Sequence, residues 1–281
     1  MGPGCSGALM YGQGLVGMIT CILRIGSKIC FMEEAPFEGM RLSSMLYFSL
    51  SLVIVCGSVV GLMMLLHRMP SQRIENRPDV RTLTDTPPTL EPLLAPQQEI
   101  PLAVAEEKVN TLDVLRVVWP YAAGTVFNFW VTLAFFPAVI TDIPPSYVDT
   151  MTWMPVLLIT AQKAGDLVGR FFGEAAEKYF LLPTVWLLAG LRLGFIPLFL
   201  HLRSSLTTLG MFHDLAAFVS VTAFATSSGL IGTAFIVRGQ SAIAVGIQRD
   251  VASRIMALAM TAGLAAGAMT GYIVHNFLPQ S

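Results

Sequence analysis

The sequence predicts an all-α polytopic membrane protein, and three observations carry that expectation. Its 281 residues are 54% hydrophobic and only 12% charged. Mean hydropathy is +0.66, outside the range of ordinary soluble domains. Seven apolar stretches approach or exceed the roughly 20 residues a helix needs to cross a hydrocarbon core. A net charge of −1 offers no general attraction for nucleic acid, so the expected surroundings are a lipid bilayer.

The first stretch runs from Ala8 to Ile25, interrupted by Gln13 and ended near Arg24. No charged leader precedes a short apolar core and cleavage site, so it reads as a helix of the bundle rather than a signal peptide. Met1-Gly2 fits the loose N-myristoylation pattern, but a chain entering the membrane directly needs no acyl anchor. The second stretch is Ser44 to His67. From Arg68 to Leu112 the character changes: seven of the seventeen prolines fall here among mixed charges, without apolar periodicity. This predicts a disordered linker. The expected organisation is 1–67 with two helices, 68–112 as a cytoplasmic linker and 113–281 as a five-helix bundle.

Beyond the linker the stretches are Val117 to Ile140, Thr152 to Phe172, Leu181 to Leu200, Leu215 to Val237 and Ile255 to Val274. Pro120, Pro137, Pro155 and Pro197 lie in or beside them, where neighbouring helices can re-satisfy a freed carbonyl and allow a kink. Glycines recur every four residues at Gly57/Gly61, Gly165/Gly169/Gly173, Gly190/Gly194 and Gly263/Gly267/Gly271, a spacing that lets membrane helices approach closely. Lys and Arg favour one side when the linker is cytoplasmic: Arg68, Arg73, Arg77, Arg81, Lys108, Lys178, Arg238, Arg249 and Arg254 against Lys28, Arg41 and Arg203. Seven crossings then put the N-terminus inside and the C-terminus outside.

The informative stretch is the fourth. At 100° per residue Thr160, Lys163, Asp166 and Arg170 fall within roughly a 120° arc. Ionisable groups at membrane depth are costly, so such a stripe is expected to face a bundle interior or aqueous cavity. Asp166 supplies acceptors and Arg170 a rigid fork of donors, suited to an uncharged ligand bearing hydroxyls or amides. The bland alternative is an i, i+4 ion pair that only neutralises two charges, with Lys163 competing for the same carboxylate. Asn128 adds a polar group at depth, and Trp130 a ring for stacking. Arg192, inside the fifth stretch, reads as a structural or gating ion pair. Cys5, Cys21, Cys30, Cys56 and the scattered histidines lack metal-ligand spacing, so no metal or other cofactor is expected. An enzyme is not expected either, since no paired carboxylates or activated nucleophile share a face.

Five runs together resemble the equilibrative nucleoside transporter family: Gly12 to Gly17, Thr132 to Val139, Asp166 to Arg170, Arg192 to Pro197 and Ala225 to Gly229. Their order and spacing match across nearly the whole chain. The resemblance implies a major-facilitator-like helix bundle and transport of nucleosides or nucleobases by facilitated diffusion with alternating access, in the plasma membrane. The family has eleven helices, six before a cytoplasmic loop and five after; about seven are present here. The chain therefore looks like a fragment beginning near the end of the family's fourth helix. The family's cavity-lining aromatic of helix 1 and glutamine of helix 4 have no counterpart. Asp166 and Arg170 match the acid and arginine of helix 8 that contact the nucleoside, and Phe136 with Pro137 match its helix 7 pair. Gly169, on the same helix, joins the expected gating or structural set. Lys163 departs from a frequent asparagine, and Ser228 with Leu230 from an Asn-Gly-Tyr run. The rival expectations are a non-transporting membrane fragment and a facilitator for another small polar solute.

Overall fold

A computed structural model describes residues 3–31, 36–75, 111–146, 153–204, 211–243 and 247–277. They form helices α1 (Pro3–Cys30), α2 (Pro36–Glu75), α3 (Thr111–Phe135), α4 (Met154–Tyr179), α5 (Leu182–Leu191), α6 (Phe195–Ser204), α7 (Met211–Ser241) and α8 (Ile247–Phe277). The protein is therefore a polytopic helical membrane protein. Among the described residues six segments are long and apolar enough to cross a membrane, including Thr111–Asp142 and Leu182–Ser204. Helix α4 has the length, at 26 residues, but carries Lys163, Asp166 and Arg170 in its middle.

Residues 1–30 and 109–281 make one compact unit and 31–108 another. In the second unit α2 starts on Pro36, a residue suited to the first helical turn because its missing N–H would have no partner there. Of the linker expected at 68–112, residues 68–75 continue α2 and 111–112 open α3, while 76–110 lie outside the described residues. The sequence reading grouped α1 with α2; in the structure α1 belongs to the first unit, where it packs along α4 and touches α7.

Within the first unit α7 is the central helix, with every residue from Ile231 to Val237 buried. It packs along α4 and contacts α3, α5, α6 and α8, while α8 lies along α3. The α4–α7 seam is backbone against backbone. A Cβ added at Gly169 would strike the Thr226 carbonyl, and one added at Gly229 would strike the Asp166 carbonyl. The two glycines are thus reciprocal, and only hydrogen at both Cα atoms permits this approach. The α3–α8 seam uses Gly263, Gly267 and Gly271 in the same way, against the carbonyls of Val126, Trp130 and Leu133. At Gly190 and Gly194, by contrast, an added Cβ meets no atom of the described residues, so among those residues this pair of glycines forms no packing face.

Two interruptions position the functional region. Helix α3 stops at Phe135 because Phe136 precedes a proline, a position disfavoured for helix, and the chain turns through 136–142 into a short 3-10 turn. The Phe136–Pro137 peptide is cis. The fifth apolar stretch is not one helix: a 3-10 turn at Arg192–Gly194 separates α5 from α6. Pro197 has no N–H for the Leu193 carbonyl four residues earlier, and the Phe195 N–H instead bonds back to Arg192 and Leu193. The expected proline kink therefore falls one turn before Pro197.

Exchanging Gly169 for alanine is expected to cost about 1–3 kcal/mol, since one seam must open to admit the methyl. Gly190→Ala is expected to stay within about 0.5 kcal/mol of the parent. Thermal unfolding of the full chain in detergent compares the two; equal midpoints would remove the backbone seam from this account.

Candidate functional site

The charged stripe of α4 is covered by α1. Asp166 and Arg170 form an ion pair, Nε to Oδ2 at 2.7 Å, with side chains 15% and 9% exposed. Arg170 then reaches across to α1, where Nη1 donates to Gln13 Oε1 at 3.1 Å and approaches the Met10 carbonyl at 3.4 Å and its sulfur at 3.5 Å. Two glycines let α1 lie this low. A Cβ at Gly14 would stand 2.8 Å from Leu167 Cδ1 and 3.3 Å from Arg170 Cδ, and one at Gly17 3.2 Å from Lys163 Cδ. The sequence marked Gln13 only as a flaw in an apolar stretch. A polar residue flanked by glycines was the available signal that this helix face meets something polar.

Lys163 does not share the carboxylate. Its ammonium sits 5.5 Å from the centre of the Phe136 ring, a cation–π arrangement that links α4 to the turn after α3. Pro137 is on the far side of that turn, in an open crevice of about 450 Å³ with Leu133, Asp142, Gly271 and His275. Gln162, one turn before Asp166, is buried at 3% exposure, and its Oε1 has no hydrogen-bond partner among the described residues. A buried amide oxygen left unpaired is costly, and marks a place where a ligand or water would be stabilised.

Arg192 organises a second polar cluster. The residue is 2% exposed. Its Nη1 donates to the Asn128 backbone carbonyl at 3.2 Å and to the Asn128 side-chain oxygen, and its Nη2 to Thr132 Oγ1 at 2.9 Å. The guanidinium lies 4.4 Å over the Phe224 ring. Asn128 Nδ2 donates to the Ser228 carbonyl at 3.2 Å, and the Thr132 and Ser228 hydroxyls are 2.8 Å apart. These bonds tie α3, the α5–α6 break and α7 at one level.

The site residues expected from sequence therefore fall into separate places. Asp166 and Arg170 are together, with Lys163 and Phe136 beside them. Asn128 is fully buried and both ends of its amide are engaged by Arg192 and Ser228. Trp130 faces α8, where Nε1 donates to Thr270 Oγ1 at 2.9 Å. Gly169 lines the α7 seam, behind the charged face. Among the described residues no group of three or more His, Cys, Asp or Glu side chains gathers to hold a metal ion.

The family model described as nucleoside transporter matches residues 1–276. Equilibrative nucleoside transporter 3 of Rattus norvegicus is 24% identical over 293 aligned positions, covering 96% of this chain and 58% of its own length. Equilibrative nucleotide transporter 1 of Arabidopsis thaliana is 26% identical, covering 68% of this chain and 40% of its own. Equilibrative nucleoside transporter 4 of Danio rerio is 25% identical, covering 58% and 31%. The matched part of the chain thus spans between 31% and 58% of the length of these relatives.

Removing one partner of a buried guanidinium leaves an uncompensated charge. Asn128→Leu is accordingly expected to destabilise the chain by about 3–5 kcal/mol, and Thr132→Val, which deletes one neutral acceptor, by about 1–3 kcal/mol. Chemical unfolding of the two variants in micelles reads this order; a stable Asn128→Leu would remove Arg192 from its structural role.

Proposed function

Because this chain belongs to the nucleoside transporter family, we propose that it carries nucleosides or nucleobases across the plasma membrane by facilitated diffusion, with Asp166 and Arg170 gripping the passenger. The observation that supports this most directly is the ion pair of α4: two charges at membrane depth, reached by a neutral acceptor from α1. Ionised groups held inside a membrane bundle characteristically line a pathway. Asp166 accepts from ribose hydroxyls or ring N–H groups, and Arg170 donates to ring or ribose oxygens. The unpaired Gln162 Oε1, one turn away, offers a further acceptor.

Lys163 and Phe136 flank the passenger, the ammonium supplying positive field and the ring an apolar wall. Asn128 acts by holding Arg192, and Trp130 serves the α3–α8 contact through Thr270. Alternating access then consists of α1 and its neighbours rocking against the α4–α7 pair around this midplane site. The glycine contact of α1 with α4 suits such motion, because it brings side chains rather than two backbones together.

One observation favours a second reading. The Asp166–Arg170 pair is already closed at 2.7 Å, as it would be in a non-transporting membrane protein that neutralises its own charges. Transport assays separate the two. Proteoliposomes holding the full chain are expected to take up radiolabelled uridine and adenosine but not glucose. Asp166→Ala and Arg170→Ala should each lower the initial rate by about ten- to a hundredfold, the loss of one or two charge-assisted hydrogen bonds. No uptake by the parent, or parental uptake in both variants at equal incorporation, would refute the carrier reading.

A further inference from the structure

We propose that Gln13 is a built-in substitute ligand: its side-chain carbonyl occupies the Arg170 nitrogen that a nucleobase carbonyl would take, and it must leave before substrate binds. This inference rests on the carrier reading above and adds to it the residue that competes with the passenger.

The geometry divides the Arg170 fork. Nε is committed to Asp166 at 2.7 Å, and of the two terminal nitrogens Nη1 is the one directed at α1. Three α1 atoms approach Nη1, but the Met10 carbonyl at 3.4 Å and sulfur at 3.5 Å are at the weak limit, while Gln13 Oε1 at 3.1 Å is within the ordinary range. Gln13 is therefore the acceptor that matters. A carboxamide oxygen is chemically the same acceptor as the ring carbonyl of a pyrimidine or a 6-oxopurine: neutral, planar and strongly polarised. Exchanging one for the other changes no charge at the site, so the buried Asp166–Arg170 pair can persist through the exchange.

Burial is asymmetric in a way that favours release from the Gln13 side. Gln13 is an exposed residue, whereas the Arg170 and Asp166 side chains are 9% and 15% exposed. Gln13, at the surface of the described residues, can turn away without displacing its neighbours, while Arg170 needs a replacement acceptor the moment Gln13 departs. The spacing also couples that exchange to movement. With an imagined Cβ at Gly14 only 3.3 Å from Arg170 Cδ, no ring fits between α1 and Arg170 until α1 lifts. Displacing Gln13 and separating α1 from α4 are then one event. The empty carrier is held closed by the contact the substrate replaces.

A site occupied by its own side chain binds ligand with an affinity reduced by the fraction of time it is closed. Equilibrium binding of radiolabelled uridine to the purified full chain in lipid nanodiscs tests this. Gln13→Ala is expected to bind uridine about three- to tenfold more tightly, the worth of one hydrogen bond. Gln13→Glu, nearly the same shape but able to pair ionically with Arg170, is expected to bind at least about tenfold more weakly. A purely structural Gln13 would not shift the two variants in opposite directions. Weaker binding in Gln13→Ala would make Gln13 a substrate contact and overturn the proposal, as would unchanged affinity in both variants. If the parent binds and Arg170→Ala does not, while both Gln13 variants match the parent, the substitute-ligand proposal falls and the carrier reading stands. Absence of uridine binding by the parent overturns both.

Discussion

A guanidinium inside a membrane bundle has to be surrounded by acceptors supplied by other helices, and the arrangement of the first unit follows from how Arg192 meets that requirement. Lipid provides none, and an exposed charge at this depth costs several kcal/mol. Arg192 draws on Asn128 and Thr132 of α3 and lies over Phe224 of α7, while Asn128 and Thr132 also bond Ser228 of α7. The acceptors face inward only if α3, α7 and the break between α5 and α6 stand at one height. The cluster therefore sets the register of three segments, and the apolar core from Val131 and Phe136 to Phe199 and Phe224 packs around that register.

The glycine seams convert that register into a rigid platform. On one face α4 is pressed against α7, with Gly169 and Gly229 each reaching the other helix's backbone carbonyl. Dispersion between two backbones is what holds helices together where lipid removes the hydrophobic drive. With that face committed, α4 has to present Lys163 and Arg170 elsewhere, and α1 receives them through Gly14 and Gly17. The same helix thus has a side joined backbone to backbone and a side whose contact with its neighbour is made by side chains, among them Lys163, Arg170, Leu167 and the Phe171 ring stacked on Tyr11. Such an arrangement allows α1 to separate from α4 without disturbing the packing of α4 on α7.

Much of this was legible in the residues themselves. Six of the seven apolar stretches correspond to segments of the described residues long and apolar enough to cross a membrane, because hydropathy sums over neighbours in the chain, and that sum does not depend on what they pack against. Their ends were less legible: α1 runs to Cys30 and α4 to Tyr179, beyond the apolar windows, since a helix continues through polar residues at its aqueous ends. The Asp166–Arg170 pair was legible for a similar reason, as an i, i+4 spacing fixes proximity within one helix. Asn128 is the instructive contrast. A polar residue at depth looked like a ligand contact, yet its amide is engaged by an arginine 64 residues away along the chain.

The sequence alone determined the membrane class, the charged stripe and the family resemblance, because each depends on composition or on spacing within a single element. Tertiary structure alone decided which acceptors meet Arg192, which glycines are seams and which are merely small, that the fifth stretch breaks at Arg192–Gly194, and that Gln13 stands against Arg170. Those outcomes depend on which helix faces touch. Contact between elements distant in the chain is settled by the packing of the whole bundle, and no local pattern of residues encodes it.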